Sequence, residues 1–173
     1  MKPVLRKKRR KRRDTKVSKK TRFRVKLVDL CALLKAEPKL FTGRISPKNL
    51  TSLKKKGLCY FLQNDKEIFG MVALWPTKNP AYFELGTLWV KVGFRCYGHS
   101  AALFDKALSL VPKGSTVFLI TNEKRVIKLA MEHQWDEALE WQTSEGWRKV
   151  YEPWKGTRKD PSSSSQLFYT IVP

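Results

Sequence analysis

Thr116 to Thr121 reads TVFLIT, six residues without a charge, set between the turn formers at 112–115 and a helical stretch at 123–133. An unbroken apolar run rich in β-branched and aromatic side chains fits a strand covered on both faces, so the chain needs helices on either side of a sheet. The preceding segments agree. Tyr82 to Val92 reads as a strand, and Ser100 to Leu110 as a helix with Leu103, Phe104, Ala107 and Leu110 on one face. A crossover at 93–115 then joins neighbouring strands in parallel.

The remaining elements fill in around that unit. Phe23, Val25 and Leu27 alternate with Arg24 and Lys26, which predicts a short edge strand, followed by a helix from Leu27 to Leu40 ending near Pro38. Ser46 and Pro47 read as an N-cap and first helical residue, opening a second helix to Lys56 with Gly57 behind it. Leu58 to Gln63 and Glu67 to Trp75, around the turn Asn64–Asp65–Lys66, predict an antiparallel hairpin closed by Pro76 to Pro80. Beyond Trp135, the stretches 138–141, 147–151 and 167–172 alternate enough to supply the last one or two antiparallel strands. The expectation is an α/β domain with a mixed central sheet flanked by helices.

Charge divides the chain in two. Of 36 Lys and Arg against 15 Asp and Glu in 173 residues, 13 cations and one Asp fall in residues 1–22, which therefore hold +12 of the net +21. Such a block repels itself and has little to bury, so on its own it is prone to disorder. Residues 1–22 are accordingly read as a basic tail and 23–173 as the domain, still +9. The run from Arg6 through Lys7, Lys8, Arg9, Arg10, Lys11 and Arg12 to Arg13 suits phosphates of a nucleic acid or ribonucleoprotein, or else is a solvated tail. It lacks the amphipathic apolar face that a membrane would need.

Neither an apolar segment of membrane-spanning length nor a signal-peptide core is apparent, so an intracellular, cytoplasmic protein is expected, associated with nucleoid, ribosome or virion. Cys31, Cys59 and Cys96 are odd in number and widely spaced, and with only His99 and His133 beside them neither a disulfide framework nor a metal site is expected. Both histidines are read as surface or capping residues.

The segment ELGTLWVKVGFRCYGHSAALFDKAL, 84–108, resembles the GNAT acyltransferase superfamily, in which a strand E-[IL]-x-x-L-x-V leads through a turn to R-x-x-G-x-[GA] and an apolar helix. Glu84, Leu85, Leu88, Val90, Arg95, Gly98 and Leu103 match in register, and the order of elements over 23–173 is similar to that fold. The basic start and the ending SQLFYTIVP are similar to phage-encoded members. The resemblance implies acetyl-coenzyme A as co-substrate, held by Val90, Arg95, Cys96, Tyr97, Gly98, His99 and Ser100. Physics of the turn points the same way: amides at the start of a helix are free donors carrying the positive end of its dipole, and glycine lets backbone approach a phosphate. Cys96 and Ser100 depart from the glycine or alanine common in the family.

Acetyl transfer to an amine needs a base, donors for the thioester carbonyl, and an acid for the leaving thiolate. The resemblance implies Glu84 as the general base, a partly buried carboxylate; a pairing with one of the many lysines is the alternative. The family's usual acid is a tyrosine in the helix after the buried strand, and Ala130 stands at that position, leaving Tyr97 or water. Trp135, Trp141, Trp147 and Trp154, interleaved with basic residues, are read as core or as a stacking surface for single-stranded nucleic acid. Two functions follow from these readings. One is an acetyltransferase anchored by its tail to a nucleic-acid-containing target. The other is an inactive relative of the fold serving as a nucleic-acid-binding or virion component.

Overall fold

A computed structural model describes residues 19–36, 44–151 and 165–173. The chain runs through α1 (Lys19–Lys35), α2 (Pro47–Lys55), β1 (Cys59–Gln63), β2 (Ile68–Pro76), β3 (Tyr82–Val90), a 3-10 turn (Val92–Phe94), α3 (His99–Leu108), β4 (Thr116–Thr121), α4 (Lys124–Glu132), β5 (Asp136–Glu137), α5 (Glu145–Tyr151) and β6 (Gln166–Ile171). The strands form one mixed sheet in the order β1-β2-β3-β4-β6-β5. Every neighbouring pair is antiparallel except β3 and β4, which the 93–115 crossover makes parallel as expected.

Strand alternation in β1 sorts the helices onto two faces. Phe61 meets Phe23 of α1 edge-on at 5.6 Å, and the Cys59 thiol reaches the Leu50 carbonyl of α2 at 3.6 Å, so α1 and α2 cover one face. Leu62 and Leu103 converge over Gly70, so α3 covers the other, next to Trp135, whose ring lies 4.6 Å from Phe104. A second, smaller core gathers Phe118, Trp141, Val150 and Leu167 with Trp147 and Tyr169. Trp135, Trp141 and Trp147 are thus packing residues, while Trp154 lies outside the described residues.

Two expected strands are helices. Residues 23–27 lie in α1, because Phe23, Leu27, Leu30, Cys31 and Leu34 form a stripe at helical spacing that is buried against the sheet, whereas Val25 is 55% exposed. Three alternating residues at its start are outweighed by a stripe that runs on to Leu34. The helix begins at Lys19, inside the stretch 1–22 read as the basic tail. Its expected continuation to Leu40 falls outside the described residues. Likewise 147–151 lies in α5, where Trp147 and Val150, three residues apart, face the second core, and 138–141 forms a turn behind the two-residue β5. The second helix is as expected: the Ser46 hydroxyl accepts from the Asn49 amide, Pro47 opens it, and Gly57 at φ +74° ends it.

Among the described residues no helix is long and apolar enough to cross a membrane, and no three His, Cys, Asp or Glu side chains group as metal ligands. Cys31 and Cys59 are buried and Cys96 is exposed. Burial pushes the Cys59 thiol up from its ordinary 9.0 to about 12, with nearby Lys54 opposing. A raised folded value favours the fold while the thiol is protonated, so this contribution is complete below pH 9 and is lost as pH climbs from 9 to 12. Wild type should therefore lose about 2 kcal/mol more than Cys59→Ala between pH 9 and roughly 10.5, at ~1.4 kcal/mol per unit, in urea titrations of both proteins. Parallel pH curves would show the thiol to be solvated.

Candidate active site

β3 and β4 are paired only from Tyr82–Thr116 to Glu84–Phe118. Past that point they diverge, although β3 runs on to Val90 and β4 to Thr121. The gap is a cleft of about 460 Å³ between Leu85–Val90 on one wall and Leu119–Thr121 on the other, with Glu123, Arg125 and Leu129 at the α4 side and Arg95, Cys96 and Ser100 at the mouth. It lies at the carboxyl ends of the two parallel strands, the place where open α/β sheets bind ligands. The wall contributed by β3 is a strand edge with no β4 partner beyond Glu84, so backbone donors and acceptors are offered to an extended ligand.

The mouth is shaped by two left-handed residues. Cys96 and Gly98 both have φ of +73°, and Gly98 is the N-cap of α3. No protein atom lies within 4 Å of where a Gly98 side chain would begin, so within the chain itself it is the left-handed φ that calls for glycine. The first turn of α3 has no side-chain cap bond and no acidic residue, which leaves its dipole end uncompensated by the protein. Arg95 is fixed beside it, its Nε donating to the Val90 carbonyl at 2.8 Å.

Of the expected cofactor-binding residues, Val90, Arg95, Cys96 and Ser100 line the cleft. Tyr97, Gly98 and His99 do not. Tyr97 is 74% exposed, and His99 rests against Phe69 at 5.5 Å. Ala130, at the tyrosine position, is fully buried in the core. His133 lies 3.0 Å from Asp105 and is half-buried, in keeping with a capping residue, since its Nδ1 contacts the Leu129 carbonyl. The basic residues Arg6 to Arg13 lie outside the described residues.

Glu84 needs the largest revision. It is 1% exposed, it does not line the cleft, and its Oε2 takes a hydrogen bond from Arg44 Nη2 at 3.0 Å. The partner is an arginine, neither of the expected alternatives of base or lysine pair. Arg44 is itself 8% exposed and lies over the Trp75 ring at 4.8 Å, while Trp75 Nε1 donates to the Thr87 hydroxyl. Gly86 makes this cluster possible: the strand register skips it, Ala73 facing Thr87 and Leu74 facing Leu85. A Cβ there would stand 2.7 Å from Trp75 Cδ1 and 3.1 Å from Arg44 Nη2. A glycine inside a strand signals such a bulge or close approach. That was the available sign of Arg44, Trp75 and Thr87 as one assembly beside the cleft.

No protein-family model and no curated protein matches the sequence. Solved structures do match by shape. An acetyltransferase of the GNAT family from Bacillus cereus superposes with a TM-score of 0.55 at 16% identity, over 92% of this chain and 96% of that one. The Mycobacterium tuberculosis protein Rv2747, in complex with CoA and NLQ, gives 0.61 at 13% identity, over 87% and 96%. N-acetylglutamate synthase from Neisseria gonorrhoeae, complexed with coenzyme A and N-acetyl-glutamate, gives 0.55 at 17% identity over 91% of this chain, which spans 34% of that enzyme's length. The likeness is one of fold.

Proposed function

We propose that this chain, which has the GNAT fold, transfers an acetyl group from acetyl-coenzyme A to an amine, and that its basic run holds it on a nucleic-acid-containing target. The amine then belongs to the nucleic acid or to a protein bound on it. One observation carries the acyl-transfer half: the parting of β3 from β4 after Glu84, which turns a strand edge into the wall of a cleft whose mouth is a helix start. An amide-rich pantetheine arm suits the free edge of Leu85–Val90, and a pyrophosphate suits Arg95 with the first amides of α3. In the reaction the amine nitrogen attacks the thioester carbonyl, a C–N bond forms, the C–S bond breaks, and the thiolate takes up the proton that the nitrogen gives up. With Glu84 held by Arg44 and Tyr97 not lining the cleft, that proton travels through water in the cleft.

A second reading is favoured by the same two facts together with Ala130: a protein that keeps the fold but not the catalysis, and serves as a nucleic-acid-binding or virion component. Thermal denaturation with coenzyme A separates the readings in two steps. Ligand at about 100 times its dissociation constant should stabilise wild type by ~2.7 kcal/mol. In Gly98→Glu this ligand-induced shift should vanish, because a carboxylate and a strained φ replace the glycine at the helix start. Absence of a shift in wild type sinks the acyl-transfer reading. A shift without release of free thiol from acetyl-coenzyme A, across nucleic-acid and protein amines, selects the second.

A further inference from the structure

Positive charge gathers along the β1 edge of the sheet. Two contacts assemble the site: Lys54 Nζ lies 3.4 Å from the centre of the Phe23 ring, and the Lys26 ammonium donates to the Asn64 carbonyl. They draw the start of α1, the end of α2 and the β1–β2 turn around the same edge strand. Arg22, Arg24, Lys55, Lys56 and Lys66 stand exposed on these three elements. None of the five makes an ion pair among the described residues. The carboxylates nearby in sequence are Asp29, further along α1, Asp65 beside Lys66, and Glu67, which Lys91 already engages. Elsewhere the pattern differs: Lys128 on α4 and Lys149 on α5 each pair with a glutamate one turn away.

We propose that this strip is a docking surface for the phosphate backbone of a nucleic-acid duplex, extending onto the folded domain the grip of the basic run before it. The inference rests on the reading that the run meets nucleic acid, and adds that a folded face shares the load. Length fits. The five residues of β1 extend about 17 Å at ~3.3 Å each, and a duplex presents one negative charge per ~1.7 Å, so the strip faces roughly ten phosphate charges. Lipid fits less well, because an interfacial helix seats aromatic side chains, whereas the one aromatic of α1, Phe23, is covered by Lys54.

The test uses the full-length protein and a labelled duplex of about 20 base pairs, titrated by anisotropy between about 50 and 200 mM salt. Lys55→Gln/Lys56→Gln/Lys66→Gln is compared with the equal charge change Lys113→Gln/Lys128→Gln/Lys149→Gln on other elements. The first triple variant should flatten the slope of log K against log salt by about 0.9 for each DNA phosphate left unneutralised and weaken binding at least tenfold, the second by less than about twofold. Equal losses in both would mean that net charge alone acts and would overturn the strip. Wild-type behaviour in the first, alongside abolished binding on deletion of 1–18, would overturn the strip while leaving the tail reading intact. A wild type that ignores duplex but binds phosphatidylserine-containing vesicles would overturn both.

Discussion

Arg44→Met should cost the fold about 3–5 kcal/mol, read as a lowered urea midpoint at neutral pH. The reason is what it leaves behind. Glu84 is 1% exposed, and removal of the guanidinium 3.0 Å away takes a cationic partner from a carboxylate that is almost wholly buried. Lysine is a poor replacement, because the planar guanidinium lies over Trp75 at 4.8 Å while bonding Glu84, and a compact ammonium cannot do both. Removing both charges is a different matter. Arg44→Met/Glu84→Gln should recover much of the loss, since a buried pair replaced by neutral groups of similar size is often near neutral in cost. A single variant losing less than about 1 kcal/mol, as an exposed pair would, contradicts the buried-pair account.

The same variant has a consequence for the cleft. Glu84 directly precedes the wall Leu85–Val90, Gly86 and Thr87 belong to it, and the bulge at Gly86 packs against Trp75 and Arg44. Disturbing Arg44 therefore shifts the wall on which an extended ligand would lie. The destabilised single variant should show weaker coenzyme A stabilisation than the paired double variant.

What the sequence disclosed, and what it hid, follows from how far each feature reaches along the chain. TVFLIT, the 93–115 crossover and the Ser46–Pro47 cap are local patterns, and each is where it was expected. At 23–27 a period of two spans only three apolar residues, while the helical stripe Phe23 to Leu34 shows itself over a longer window. In the site, Arg95 and Gly98 stand out in a motif of fixed spacing, whereas the left-handed φ of Gly98 does not. Glu84 stands out in the same motif, but its pairing with Arg44 does not. Its role depends on Arg44, forty residues earlier, and on the approach of Trp75 over Gly86, contacts between elements that no short pattern encodes.

Deleting residues 1–18 should abolish most of the salt-sensitive affinity for nucleic acid. Ten Lys and Arg lie in that stretch against one Asp. A protein that neutralises six to ten phosphates loses about 10³–10⁵ in affinity between roughly 50 and 200 mM salt, and the truncated chain should show only the shallower dependence of the β1-edge strip. Sequence preference should be slight in both, because contacts to phosphate fix position without reading bases. The cut belongs after residue 18 and not after 22, since α1 begins at Lys19 and its buried stripe at Phe23; removing the first helical turn would mix the effects of charge and of fold. Thermal unfolding of the truncated protein checks that distinction, and its midpoint should match wild type. If the two proteins bind one duplex with the same slope, the run is a bystander, and the acetyltransferase reading loses its account of how the target is reached while keeping its cleft.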